Sequence, residues 1–248
     1  DDITMVEAAG TNWYGLTMKY TRPPWDNPDA RMAVAKAIDN EDLIARAFFG
    51  HGTPSVGPLA PAFGWVYIPP DEVDNPQAFD LDEARELAAA AGLDGVQVNL
   101  IGSADDQRET EIIRNQLSEI GLDVQVEQMQ TNAYVERRTA GEFDMTLLGS
   151  VVDADPDDGV WNYFHSTGPS NNIGYNNPDA DRLVDGQRET ADQEERTRLL
   201  QELQALVAGE AVYKFLHHLP DVTAFFTYVQ GYKPIPEQRY LETLWLDR

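Results

Sequence analysis

The order of apolar and polar positions between residues 79 and 152 follows an alternation of helix and strand. Residues 96–101 and 122–129 have the apolar patterns of strands, and residues 106–120 place their apolar side chains on one side of a helix. A further strand is predicted at 143–152. Short links between strands and helices favour parallel pairing through helical crossovers. The pattern therefore predicts an α/β fold with a mainly parallel central sheet flanked by helices.

Side-chain caps mark where several helices begin and end. Asn27 and Asp80 each precede an apolar helical pattern, Pro28 takes a first helical position, and Gly92 follows a last one. The apolar positions after Asn27 continue to Gly50 and predict one or two helices, with a break near Asp39.

The remaining segments divide into loops, helices and strands. Residues 51–78 are rich in Pro, Gly and aromatic residues and are predicted to form a long ordered loop. Helices are predicted from residue 177 and over 194–208, and strands over 212–216 and 222–229.

Composition limits the classes of partner. The chain has 248 residues and a formal net charge of −25, from 43 acidic and 18 basic residues. Such a surface repels phosphate backbones, so we expect no nucleic-acid partner. The acids are spread along the chain, which favours a general adaptation to salty surroundings over a local cation site. The absence of Cys excludes disulfides, thiolate nucleophiles and Cys-ligated metals.

The first residues and the lengths of the apolar segments give expectations about where the protein is found in the cell. No apolar run approaches the roughly 20 residues of a membrane span. The sequence opens with Asp1 and Asp2 and shows no signal peptide, so we expect a mature chain, a cytosolic protein or a fragment.

The segment 150–178 concentrates the candidate binding chemistry. Asp153 follows the strand predicted at 143–152, and ligands of parallel sheets gather beyond the carboxyl ends of strands. Trp161 and Tyr175 flank the region of Asp153, in cap or loop positions. A carboxylate with aromatic and amide groups close by can hold a polar or cationic small molecule.

The acidic residues could also form a calcium loop or a catalytic carboxylate pair. A calcium loop starting at Asp153 fails the EF-hand pattern, because Asp158 takes the glycine position and Phe164 the glutamate position. Helix capping explains Asp155, Asp157 and Asp158 more simply, and we expect no metal site. An acidic hydrolase using paired carboxylates remains the alternative function, although no flanking pattern isolates such a pair.

The four histidines show no metal-ligand spacing. His217 and His218 adjoin in a predicted strand, so their side chains point to opposite faces and cannot ligate one ion together. No cofactor motif occurs in the sequence, and no cofactor is expected.

Seven segments, taken in order, resemble the extracellular solute-binding proteins of ABC importers, of the oligopeptide, dipeptide and nickel type. The segments are 27–39 (NPDARMAVAKAID), 50–58 (GHGTPSVGP), 79–93 (FDLDEARELAAAAGL), 120–122 (IGL), 141–144 (GEFD), 153–156 (DADP) and 172–178 (NIGYNNP). The resemblance covers nearly the whole chain but only about the C-terminal half of a usual family member.

The resemblance implies a periplasmic-binding-protein-like lobe. Residues 22–210 would form the α/β ligand-binding lobe, the family's third domain. Residues 1–21 and 211–248 would belong to the hinge and the other lobe. The protein would perform no chemistry, would capture a small solute and deliver it to the importer's permease, and would be periplasmic or extracellular and associated with the membrane.

The resemblance also assigns roles to residues. Asp153 matches the acid that pairs with the α-amino group of peptide ligands, so a peptide or similar amine-bearing solute is expected, while other relatives carry sugars, opines or metal chelates. The remaining predicted ligand-binding residues are Trp161, which would cover an apolar part of the ligand, Asn171, Asn172 and Tyr175, which would hydrogen-bond it, and Trp65 and Tyr67, which would line the cleft.

Overall fold

The computed structural model describes residues 2–234 and 241–247. The strands in this part of the chain are β1 (Ile3–Ala8), β2 (Tyr14–Met18), β3 (Thr53–Pro54), β4 (Gln97–Ser103), β5 (Asp123–Met129), β6 (Met145–Gly149), β7 (Tyr213–His218), β8 (Asp221–Phe226), β9 (Val229–Gln230) and β10 (Trp245–Leu246). The helices are α1 (Pro28–Ala37), α2 (Asn40–Ala47), α3 (Leu81–Ala91), α4 (Gln107–Ser118), α5 (Thr131–Ala140), α6 (Asp157–Phe164), α7 (Pro178–Glu189) and α8 (Gln193–Gly209).

Six strands form the central sheet, in the order β3-β7-β2-β6-β4-β5. Strand β4 pairs in parallel with β5 and with β6, as the strand–helix–strand pattern predicts. The pairs β2–β6, β2–β7 and β3–β7 are antiparallel. The α/β class is therefore confirmed, but the sheet is mixed and the expectation of a mainly parallel one is wrong. Helical crossovers impose parallel pairing only on the strands they join, and β2, β3 and β7 come from outside that unit.

Local signals account for the ends of several helices. Asn27 and Asp80 accept hydrogen bonds from backbone N–H groups in the first turns of α1 and α3. The predicted break near Asp39 is confirmed, because Asp39 caps α2 with bonds from the N–H groups of Glu41 and Asp42. Gly92 ends α3 in the left-handed conformation, at a φ of 70°.

The sheet separates two apolar cores. On one face, Leu16, Leu100 and Leu147 pack with α1, α3 and α4. On the other face, Leu148 and Phe215 pack with α6, α7, α8 and part of the loop after β3. Leu147 and Leu148 adjoin in β6 and enter different cores, because successive side chains of a strand point to opposite faces.

Strands β1 and β8 form a two-stranded antiparallel ribbon separate from the central sheet. The ribbon joins the sheet where β2 begins and β7 ends. Because β7 runs in the same direction as β6 and β4, this is also the end at which β4 and β6 have their carboxyl termini. Ligand sites of α/β sheets occupy this end.

Two strands of the central sheet lie outside the predicted limits of the ligand-binding lobe. Both β2 and β7 lie inside the central sheet, although they fall outside the predicted lobe of residues 22–210. The predicted limits of 22–210 would therefore leave two strands of the central sheet outside the lobe, and the division of the chain into a lobe and hinge flanks stays a prediction. Residues 235–240, at the predicted return to the other lobe, lie outside the described residues. Across residues 2–234 and 241–247, no helix has the length and apolarity needed to cross a bilayer.

Candidate functional site

A groove opens at the carboxyl end of the sheet, with a volume of about 300 Å³. Ser103 and Gly149, the last residues of β4 and β6, lie on its wall, together with Tyr14 at the start of β2 and His217 near the end of β7. We call this cavity the carboxyl-end groove. Its other lining residues are Gly15, Phe48, Asp106, Glu109, Thr131, Tyr134, Val135, Arg138, Leu147, Leu148 and Leu219.

A buried acid–histidine pair forms one wall of the groove. His217 is fully buried, and its Nε2 lies 2.9 Å from Oε1 of Glu109, at the distance of a hydrogen bond donated to the carboxylate. Tyr14 stacks on the imidazole at 5.0 Å and Phe48 meets it edge-on at 4.6 Å. Nδ1 of His217 has no hydrogen-bond partner among the described residues.

Helix α5 contributes a cation and a phenol to the lining of the groove. The guanidinium of Arg138 lies 5.6 Å from the ring centroid of Tyr134. Burial raises the pKa of the Tyr134 hydroxyl, which bonds the Leu147 carbonyl and receives a 3.1 Å bond from Thr146. Among the described residues Arg138 forms no ion pair. Its side chain interacts with the Tyr134 hydroxyl and lowers the pKa of that group against the effect of burial, while its buried Nε has no hydrogen-bond partner.

Asp153 lies four residues beyond the end of β6, in an exposed loop and outside the lining of the groove. The loop before it is fixed to the start of β2. Asn12 accepts a 2.9 Å bond from the Val152 N–H, and Thr11 donates a 2.5 Å bond to the Val152 carbonyl. The Asp153 carboxylate forms no hydrogen bond or ion pair within the part of the chain that the structure describes.

Trp161 lies on α6 and is half-buried. Its ring stacks on His165 at 5.8 Å, and the guanidinium of Arg188 lies 4.4 Å from its centroid. Arg188 also donates to Asp157, with Nη2 2.6 Å from Oδ2. One face of the indole is therefore covered by a side chain of α7.

Tyr175 is buried in the protein interior, although the sequence predicted that it would contact the solute. Only 1% of the residue is exposed, and its hydroxyl donates a 2.7 Å bond to Glu210. Burial and the Glu210 carboxylate raise the pKa of this hydroxyl. A side chain so enclosed cannot reach a solute at the surface of the described chain, so the predicted ligand contact of Tyr175 is not supported.

The two predicted asparagines also make bonds within the protein. The Asn171 side chain stabilises its own loop. It donates hydrogen bonds to the carbonyls of His165 and Tyr175 and accepts one from the Tyr175 N–H. The backbone carbonyl of Asn172 accepts a hydrogen bond from the Lys19 ammonium. Asn171 and Tyr175 are therefore in contact, as predicted neighbours, but their hydrogen bonds stabilise the loop and involve no groups of a shared ligand site.

Trp65 and Tyr67 lie apart from the carboxyl-end groove. Trp65 is about one-third exposed, and the Arg196 guanidinium lies 5.5 Å from its ring. Tyr67 is half-buried and meets His218 edge-on at 6.4 Å. Neither side chain is among the residues that line the groove.

The acids after Asp153 hold the loop in place. Asp155 accepts a 2.9 Å bond from the N–H of Asp157, the first residue of α6, but Pro156 holds the N-cap position and the helix has no side-chain cap. Asp157 instead pairs with Arg188 of α7, so the capping interpretation of Asp157 is wrong. Burial and the neighbouring carboxylates raise the pKa of Asp158. Among the described residues, no three acidic or histidine side chains are grouped closely enough to hold a metal ion.

Sequence reasoning missed the groove residues Tyr14, Glu109, Arg138 and His217. Glu109 and His217 are 108 positions apart, and no local pattern relates them. The one available signal was positional: Arg138 occupies the last turn of α5, the helix that connects the parallel-sheet strands β5 and β6. The candidate site therefore consists of the carboxyl-end groove, with the exposed Asp153 loop beyond one of its walls.

The sequence and fold of this chain are similar to those of known proteins. Residues 1–171 match the family described as bacterial extracellular solute-binding proteins, family 5 Middle. Glutathione-binding protein GsiB of Pectobacterium atrosepticum is 27% identical over 256 residues, covering 96% of this chain and 48% of its own length. Heme-binding protein A of Haemophilus influenzae is 25% identical over 245 residues, with 94% and 44% covered.

A solved structure with a similar fold extends the comparison. The periplasmic binding protein DppA of Helicobacter pylori, in complex with the peptide STSA, superposes with a TM-score of 0.89 at 26% identity. The match covers 100% of this chain and 49% of DppA. The chain thus spans about half the length of these relatives.

Proposed function

The chain belongs to the bacterial extracellular solute-binding proteins of family 5, and from this membership we propose that it forms part of the substrate-binding component of an ABC importer. In that role it captures a small solute and delivers it to the permease subunits. The proposal places the protein in the periplasm or outside the cell, associated with the membrane in the assembled system.

The main structural support for this proposal is that the groove and the β1–β8 ribbon lie at the same end of the sheet. Both lie at the carboxyl end of the sheet, where β7 leads into β8 and β1 leads towards β2. A second lobe attached through the ribbon would face the groove. Closure of two lobes over such a site excludes water and strengthens polar contacts with the solute.

The proposed solute is a peptide or a similar amine-bearing molecule, anchored by Asp153. The Asp153 carboxylate is exposed and has no described partner, so it is available to an ammonium group. The net charge of −25 also favours the approach of cationic groups. GsiB and DppA, by their names and complexes, bind peptide-type molecules, which supports the same class here.

An acidic hydrolase, the alternative function in the sequence, has less support than a binding protein. The matched family is described as solute-binding, and Glu109, the buried carboxylate of the groove, is bonded to His217. We propose that the protein binds its solute without converting it.

The proposed function is tested by substituting Asp153 in the full-length protein. Isothermal titration calorimetry would compare Ala-Ala-Phe with its N-acetylated form. We expect the Asp153→Asn variant to lose about tenfold or more in affinity for the free amine, the scale of one charge-assisted hydrogen bond, and to bind the acetylated peptide as the parent does.

The matched control is Asp82→Asn, which removes the same charge from a side chain that is 95% exposed at the start of α3. It should bind both peptides like the parent. Equal losses in the two variants would show that only net charge matters, and unchanged binding in Asp153→Asn would overturn the assignment of Asp153.

A further inference from the structure

A second cavity, with a volume of about 310 Å³, lies apart from the carboxyl-end groove. Its wall is formed by the junction of α1 and α2, the segment at β3 and the end of the loop before α3, together with Lys214 from the sheet. Lys214 is the second residue of β7, whereas the groove contains His217 near the other end of that strand. We call this space the Lys214 cavity.

Lys214 is a buried lysine without an ion-pair partner among the described residues. It is 2% exposed, and its Nζ donates one hydrogen bond, of 3.0 Å, to the Gln77 carbonyl. Lys36, by comparison, pairs with Glu83 at 2.9 Å. A buried ammonium without a carboxylate is costly, so burial lowers the pKa of Lys214 to about 7. A large share of this amine is therefore neutral at neutral pH.

Asn40 contributes a second polar group whose hydrogen bonding is incomplete. It lies on the wall of the Lys214 cavity, and its Nδ2 donates a 3.0 Å bond to the Phe215 carbonyl. Its Oδ1 is buried and has no hydrogen-bond partner among the described residues. Because a buried acceptor without a donor costs free energy, a bound molecule that carries a hydroxyl group is favoured at this wall.

We propose that Lys214 is a covalent modification site for small, uncharged hydroxyaldehydes. The lone pair of a neutral lysine amine attacks a carbonyl carbon, and a proton passes from the nitrogen to the carbonyl oxygen to give a carbinolamine. Loss of water then forms the imine, so one amine and one aldehyde become one imine and one water without a further reactant. This site lies outside the carboxyl-end groove, and the inference goes beyond the proposed capture of a solute.

Charge and size restrict the aldehyde that enters. Asp39 and Glu41 line the Lys214 cavity, and the whole chain has a net charge of −25, so anionic carbonyl compounds are repelled. The volume of the cavity is at the lower end of the range of small-molecule sites, roughly 300–1,000 Å³, and suits a molecule of a few carbon atoms. A short hydroxyaldehyde meets both conditions and supplies a hydroxyl for Oδ1 of Asn40.

The test treats the full-length protein with glycolaldehyde and sodium cyanoborohydride, which reduces an imine to a stable amine, and locates the adducts by peptide mass spectrometry. At pH 7 we expect Lys214 to be modified at least about tenfold faster than the exposed Lys233, because the ammonium groups of exposed lysines stay protonated at this pH. The ratio of the two rates should be lower with propanal, which lacks the hydroxyl, and lowest with glyoxylate, which carries a carboxylate.

A variant that fills the cavity tests whether the aldehyde reaches Lys214 through it. Ala78→Trp places a large ring at an exposed position of the cavity wall and should slow the modification of Lys214, while the rate at Lys233 stays unchanged. Ala90→Trp, at an exposed position of α3 outside the wall, is the matched control and should behave like the parent. A thermal melt of each variant identifies misfolding.

Several results would overturn the inference. Adducts at Lys233 without any at Lys214 would show that the cavity does not admit the aldehyde. Modification of Lys214 that increases in step with added urea would show that only unfolded chains react. Equal ratios of the two rates for glycolaldehyde and glyoxylate would refute the selection of uncharged molecules. Each of these results leaves the proposed function standing, because calorimetry measures solute binding separately.

Discussion

Arg196 holds the Asp155 carboxylate with both terminal nitrogens, at 2.5 Å from Nη2 to Oδ1 and 2.8 Å from Nη1 to Oδ2. Asp155 lies two residues before the start of α6, and Arg196 lies in the first half of α8. The same guanidinium covers Trp65, so this one cation links α8, the loop after β3 and the loop that carries Asp153. The pair therefore fixes the base of the proposed ammonium site.

Replacing Arg196 with Gln should destabilise the protein by about 1 kcal/mol at low salt and by less at high salt, since the pair is partly exposed. The Arg196 hydrogen bonds lower the pKa of Asp155. The Asp155–Arg196 pair therefore stabilises the folded protein above the pKa of Asp155 in the unfolded chain, near 3.9. This stabilisation is lost as the pH falls through the lower pKa of Asp155 in the folded protein. Urea denaturation at several pH values measures this difference.

Arg182→Gln serves as the control for the ion pair. Arg182 meets Asp179 at 3.4 Å, and both side chains are more than 60% exposed. Its removal should change stability little at any pH. Comparable losses in the two variants would contradict a special role for the Arg196 pair.

Replacing Tyr175 with Phe should destabilise the protein by about 1–3 kcal/mol, because one oxygen of Glu210 loses its bond from a buried hydroxyl. Solute affinity of the full-length protein should stay unchanged, since the hydroxyl is enclosed. Denaturation and calorimetry on the same variant measure the two quantities. A loss of affinity with normal stability would restore Tyr175 as a ligand contact.

The buried Lys214 should make stability depend on pH on the alkaline side. Its Nζ donates a 3.0 Å bond to the Gln77 carbonyl, and burial lowers its pKa to about 7. Below about pH 7 the folded protein bears the full cost of burying the charge. Between pH 7 and about 10.5 the unfolded state holds a proton that the folded state has released, so stability rises with pH.

The variant Lys214→Met should lack this rise. We expect the melting temperature of the parent, relative to that of Lys214→Met, to increase by several degrees between pH 7 and pH 10. Lys233→Met, at an exposed lysine, is the matched control and should follow the parent at each pH. Parallel curves for the parent and Lys214→Met would contradict the lowered pKa.

Gly10 lies where the ribbon joins the sheet, and a side chain there has no room. A Cβ atom at Gly10 would lie 2.3 Å from the backbone carbonyl oxygen of Leu219, which cannot move without shifting the chain between β7 and β8. Gly10→Ala should therefore destabilise the protein by about 1–3 kcal/mol. Gly64→Ala, at a position with no neighbour within 4 Å, should have little effect in the same thermal melt.

Local sequence signals determined much of the secondary structure. Asn27, Asp80 and Gly92 mark helix ends by the bonds or backbone angles of single residues, so these ends could be located from the sequence alone. Periodicity likewise identified the α/β class and the parallel pairs of β4. Seven ordered segments were enough to indicate the family, because each contains a cap, turn or strand start that a sequence displays directly.

Only the tertiary structure decided the order of the sheet and the composition of the groove. The antiparallel placement of β2 and β7 depends on pairing between distant segments, which has no local signature. The same holds for the bond between Glu109 and His217 and for the exposure of Arg138 to the groove. Tyr175 was predicted to contact the ligand but is buried, because its partners Tyr20 and Glu210 come from distant parts of the sequence.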